Sequence, residues 1–104
     1  MSERYRIYVA GPISGHELGN EPAFRVAATW ISATLCAEPI VPHDLYRPPF
    51  GECPCITWCK AMTRCLDAIK AADAVYFLPG WHLSTGARRE LVEANKAGKR
   101  LIFE

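Results

Sequence analysis

Ala74-Val75-Tyr76-Phe77-Leu78 is an unbroken apolar run with no polar alternate, closed by Pro79-Gly80. A strand with one wet face alternates apolar and polar side chains, so a run that is apolar throughout has to be covered on both faces. The chain that carries it therefore needs helices on either side of a sheet. One helix follows directly. Ser84 is placed to cap it, Gly86 falls in its first turn, and Leu91 and Ala94 face inward. Gly98 ends it, with Lys96 and Lys99 suited to its negative end.

The same alternation runs through the rest of the chain. Arg6-Ile7-Tyr8-Val9-Ala10 reads as a first strand that enters the loop Gly11-Pro12-Ile13-Ser14-Gly15. Asn20 offers an N-cap with Pro22 in the first turn, and Phe24, Ala27, Ala28, Ile31 and Leu35 recur at helical spacing up to Cys36. Pro39-Ile40-Val41-Pro42 predicts a short second strand, placed at the sheet edge because prolines remove ladder donors. From His43 to Pro54 there is neither a helical nor a strand period. That stretch is longer than the usual connection, which marks it as a lid or a subunit contact. A helix over Thr57 to Ala71 puts Trp58, Met62, Cys65, Leu66 and Ile69 on one face, and Leu101-Ile102-Phe103 is the last strand.

The order β-α-β-α-β-α-β predicts an α/β fold. It is a small three-layer, flavodoxin/Rossmann-like arrangement with a four-stranded parallel sheet in the order 2-1-3-4 and helices on both faces, as a single domain over 1–104. In that order the connections reverse between the first and third strands, and ligands bind outside the carboxyl ends of strands at such a reversal. Those ends are Gly11-Pro12 and Pro79-Gly80.

Composition narrows the functional classes. With 104 residues, half of them hydrophobic, 22% charged and a net charge of +1, the chain has no basic stripe to grip a nucleic-acid polymer. It has neither a signal-peptide pattern nor an apolar run long enough to span a membrane, so a cytoplasmic location is the default expectation. A chain this short that must form a whole pocket is expected to be a homo-oligomer. Cys36, Cys53, Cys55, Cys59 and Cys65 make an odd number and read as reduced thiols. The spacing of Cys53, Cys55 and Cys59, with His43 upstream, departs from zinc knuckles and ribbons, so neither a metal nor another cofactor is expected.

The chemistry is expected where the central strand meets its helix. Free N–H groups at a helix start attract anions and electron-rich oxygens, and Ser84 or Thr85 adds a hydroxyl. Glu90 lies four residues after Gly86, so its side chain leans back over a turn without a side chain, which leaves room for a ligand. Glu93 is the rival carboxylate. Trp81 is placed to stack on a base or to plug the end of the sheet, and His16 and His82 flank the two loops.

Tyr8-Val9-Ala10-Gly11-Pro12-Ile13-Ser14-Gly15, then Asn20, Phe24 and Ala27-Ala28, then Asp73 to Trp81, then Ser84-Thr85-Gly86-Ala87-Arg88-Arg89-Glu90 resemble a family of small phage and bacterial proteins, DUF4406. That family is similar in turn to nucleoside 2-deoxyribosyltransferases and 2'-deoxynucleoside 5'-phosphate N-hydrolases, through Tyr8, the Ser-x-Gly-x-x-x-Glu spacing and the fold. The resemblance implies a nucleoside or nucleotide ligand and catalytic roles for Glu90, as nucleophile at the anomeric carbon, and Tyr8. Gly11, Pro12, Gly80, Trp81, Ser84 and Gly86 would bind substrate. It also implies an aspartate eight residues before Asp73, where this chain has Cys65. Asp67 is more than half a helical turn away from that position. A nucleotide-binding module without turnover and a scaffold acting through the 43–54 stretch are the competing expectations.

Overall fold

The computed structural model of the chain describes backbone over residues 5–13, 20–45 and 54–104, and side chains over 5–13, 20–43 and 63–104. Strands β1 (Arg6–Ala10), β2 (Glu38–Ile40), β3 (Ala74–Phe77) and β4 (Arg100–Phe103) form one sheet in the order β2-β1-β3-β4. Every pairing is parallel, and Tyr8 stands between Ile40 and Val75 while Phe77 stands between Ala10 and Phe103. Helices α1 (Glu21–Leu35), α2 (Pro42–Leu45), α3 (Pro54–Ala71) and α4 (Thr85–Lys96) connect the strands.

Because side chains alternate across a strand, the two inner strands build two cores. Ile7, Val9, Ala74 and Tyr76 pack with Phe24, Ala27 and Ile31 of α1. Tyr8, Ala10, Val75 and Phe77 pack with Cys65 and Ile69 of α3 and Ala94 of α4. A fully buried side chain of this kind contributes ~1.5–3 kcal/mol, which is why the two central strands can dispense with polar residues. The edge strands differ: Arg100 and Phe103 at the ends of β4 are exposed. The strand bottoms are tied by Asp73, whose Oδ2 accepts from the Arg6 amide at 2.8 Å while its own amide donates to the Arg6 carbonyl at 2.8 Å.

Several local expectations need correction. Asn20 precedes α1 but its side chain does not cap it. With φ +61° it takes the left-handed conformation that asparagine tolerates, and its Nδ2 donates to the Pro12 carbonyl at 2.9 Å. Leu35, expected on the inward stripe of α1, is at the surface, 41% exposed. The second strand ends at Ile40, and Pro42 opens α2, where a proline at the start of a helix loses no hydrogen bond. His43, expected in an aperiodic stretch, is therefore helical and buried, with its ring edge-on to Phe24 at 4.7 Å. The helix expected from Thr57 starts at Pro54, and β3 stops at Phe77, one residue short of Leu78. Residues 46–53, and the side chains of Trp58 and Met62, lie outside the described residues.

Candidate functional site at the end of the central strands

The reversal between β1 and β3 brings the two expected corners into contact. A Cβ on Gly11 would stand 2.9 Å from Leu78 Cβ, and one on Gly80 would stand 3.5 Å from Pro12 Cγ. Only a residue without a side chain lets the β1 exit approach β3 so closely, and Gly80, at φ +86°, turns the chain in a conformation open mainly to glycine. A single 3-10 turn, Trp81–Leu83, follows, which the sequence did not signal. Ser84 then caps α4, its Oγ accepting from the Ala87 amide at 3.2 Å.

Within α4 the buried positions are Ala87, Glu90 and Ala94, the spacing of an inward-facing stripe. Glu90 sits in the middle of that stripe, 5% exposed, with small alanines on either side. A carboxylate is costly there unless it is paired. Its partner comes from β1: Tyr8, completely buried, donates its hydroxyl to Glu90 Oε2 at 2.5 Å. Among the described residues this is the one hydrogen bond to the carboxylate. Cys65 of α3, also buried, packs into the same core as Tyr8.

Electrostatics follow from this enclosure. Burial pushes Glu90 up to about 8, partly offset by the Tyr8 hydrogen bond, which favours the charged form. The Tyr8 phenol is held well above its ordinary range by burial first, then by the charge of Glu90. Burial and then Glu90 push the Cys65 thiol up to about 12. The cluster is thus a carboxyl group that changes charge near neutral pH, flanked by two groups that keep their protons. A carboxyl poised in that range suits proton transfer or nucleophilic attack. Among the described residues no group of three or more His, Cys, Asp or Glu is arranged to hold a metal ion.

Comparisons with known proteins bear on the family and the fold. A family model described as a domain of unknown function, DUF4406, matches residues 5–103. The chain belongs to the DUF4406 family. A comparison with curated proteins returns no match. Among solved structures, this DUF4406 chain is similar to a 2-deoxyribosyltransferase from Leishmania mexicana, with a TM-score of 0.70 and 21% identity over 95% of this chain and 63% of that one. It is also similar to a 2-deoxyribosyltransferase from Bacillus psychrosaccharolyticus, with a TM-score of 0.69 and 22% identity over 94% of this chain and 70% of that one. These likenesses show the fold, and the DUF4406 chain spans less than two thirds of the length of the first.

In the DUF4406 chain the other expected site residues are placed as follows. Pro12 is buried beside Gly80, while Gly86 and Ser84 are half-buried in the first turn of α4 and the cap before it. Trp81 packs on Phe77 and Phe103, with ring centroids at 5.4 and 5.5 Å, so it covers the ends of β3 and β4. His82 is exposed, with its ring edge-on to Trp81. Glu93 is only half-buried and Asp67 is exposed, so neither joins the Tyr8–Glu90 pair. His16 and Cys53 lie outside the described residues, as do the side chains of Cys55 and Cys59. The latch from Asn20 to Pro12 is missing from the sequence reading, because an asparagine before a helix signals a cap whether or not it makes one.

Proposed function

We propose that this DUF4406 chain cleaves or transfers the N-glycosidic bond of a deoxynucleoside or deoxynucleotide, with Glu90 as nucleophile. The observation that carries the reading is the buried carboxyl of Glu90, held on one oxygen by Tyr8. The deoxyribosyltransferase fold of its structural neighbours supports it. Attack by the Glu90 oxygen not held by Tyr8 forms a bond to the anomeric carbon while the carbon–nitrogen bond breaks and its electron pair leaves with the base, which takes up a proton. Water or a second base then attacks the same carbon, and the electron pair of the ester bond returns to Glu90. A fixed negative charge stabilises the oxocarbenium-like transition states, and covalent capture divides one high barrier into two lower ones. Tyr8 steadies the carboxylate, while Gly11, Pro12, Gly80, Trp81, Ser84 and Gly86 surround the substrate.

A panel of deoxynucleosides and deoxynucleotides, scored for free base by chromatography, tests this. Wild type is expected to release base and Glu90→Gln to lose turnover by at least ~10³-fold while still binding, since it lacks the nucleophile. Undiminished release by Glu90→Gln removes the reading.

Cys65 supports a second reading, a nucleotide-binding module without turnover, because a thiol held near 12 does not replace a carboxylate as a proton relay. Calorimetric binding of a nucleotide with no base released by wild type over long incubation decides for it. Self-association belongs to either reading: Val26 and Trp30, one turn apart on α1, are 72% and 45% exposed. Sedimentation that shows only monomer at micromolar concentration removes that part.

A further inference from the structure

β4 stands at one edge of the sheet, paired with β3 on one side and with no strand on the other among the described residues. An edge strand presents amides and carbonyls to any further strand unless a proline, a bulge or repelling charges stop it. The opposite edge, β2, carries Pro39, which has no amide to give. β4 has neither proline nor glycine, pairs with β3 without a break, and leaves Phe103 50% exposed.

One hydrogen bond fixes which of its amides are available. The Glu104 amide donates to the Phe77 carbonyl of β3 at 3.1 Å, and backbone groups alternate sides along a strand, so those of Leu101 and Phe103 point outward. In an antiparallel pair, two such residues set opposite each other exchange both hydrogen bonds. A second copy of β4 related by a twofold axis at Ile102 sets Leu101 opposite the partner's Phe103, and Phe103 opposite the partner's Leu101. Every outward amide and carbonyl of these residues is then paired.

The charges obey the same axis. Arg100 falls opposite the partner's Glu104, and Glu104 opposite the partner's Arg100, all of them exposed in the single chain. They share the α1 face of the sheet with Ile102, where Glu104 accepts from the Tyr76 hydroxyl at 3.0 Å. Residues directly opposite on one face stand about 4.5–5.5 Å apart at Cβ, within reach of an ion pair. A parallel copy in register would set like charges together. We propose that β4 is an interaction surface for a second copy of this chain, joined antiparallel about Ile102 so that two four-stranded sheets become one. This surface is separate from Val26 and Trp30 on α1, and it does not rest on the reaction assigned to Glu90.

The test is sedimentation equilibrium and amide hydrogen exchange on wild type, Arg100→Glu, Glu104→Arg and the double variant, with circular dichroism to show that each is folded. Wild type is expected to dimerise, and its Leu101 and Phe103 amides to exchange at least ~10-fold more slowly in the dimer than on dilution. Each single change sets like charges opposite each other at both ends of the paired strands and is expected to weaken the dimer ~5- to 30-fold. The double variant is expected to return to within ~3-fold of wild type. The amide readout needs no variant, so it decides the matter even if Glu104→Arg, which loses its bond from Tyr76, does not fold. A wild type that stays monomeric up to millimolar concentration overturns the proposal. So does a dimer to which these two amides and these charges are indifferent, since its contact lies elsewhere, and so does a double variant as weak as the single ones.

Discussion

Replacing Tyr8 by Phe removes one oxygen, keeps the ring in the core, and takes from Glu90 its one hydrogen bond among the described residues. That bond is what holds the carboxyl as low as about 8, so its loss moves the titration further up and leaves less of the charged form at pH 7. Under the proposed reaction, kcat/KM of Tyr8→Phe at pH 7 is expected to fall ~10- to 100-fold, the equivalent of a hydrogen bond to a charged group, with the acid limb displaced to higher pH. A pH–rate profile of both proteins checks this, and superimposable profiles would detach Tyr8 from the chemistry. Glu90 was legible in the sequence through its spacing from Gly86. Its burial was not, because a glutamate between Ala87 and Ala94 looks like a surface residue until a partner 82 positions away is brought against it.

The helix ends and the strand exits carry the site, and their residues have separable effects. Ser84→Ala removes the Oγ that accepts from Ala87 and is expected to cost ~1 kcal/mol. Gly11→Ala is expected to cost more, ~1–3 kcal/mol, because the added Cβ meets Leu78 Cβ at 2.9 Å, an atom fixed to the backbone that cannot swing aside. Urea unfolding of the two variants checks both magnitudes, and a neutral Gly11→Ala would mean that β1 and Leu78 do not approach as described. The α4 C-terminus was readable as far as Gly98. At φ +72°, with the Lys99 amide donating to the Ala94 carbonyl at 2.9 Å and the Gly98 amide to the Asn95 carbonyl at 3.2 Å, it completes the cap that a glycine there signals. The N-terminus of α1 was not readable in the same way, since the choice of Asn20 between helix and loop depends on where the Pro12 carbonyl lies.

For the whole molecule, a buried acid that faces no cation among the described residues makes stability depend on pH. Below about 4.5, its ordinary value, Glu90 is protonated in both the folded and the unfolded chain. Between about 4.5 and about 8 the unfolded chain releases the proton and the fold retains it, so stability falls as pH rises, by up to ~1.4 kcal/mol per unit. Above about 8 both states are ionised and the loss is complete. Glu90→Gln should remove this slope: within ~1 kcal/mol of wild type at pH 5, and more stable by ~3–5 kcal/mol at pH 8.5. Denaturation at the two pH values measures it, and an equal gap at both would mean that Glu90 is not the group whose proton the fold holds.

The sequence by itself determined the strand order 2-1-3-4, both cores and the place where the chain reverses. Those follow from local periodicity, an apolar run that must be covered on two faces, and the handedness of parallel crossovers. Only the tertiary structure decided that Tyr8, Cys65 and Glu90 meet, and that the carboxyl group among them titrates near neutrality. Their meeting depends on which face of each of three separate elements turns inward. The titration depends on the absence of water around a charge, and no short stretch of chain encodes that absence.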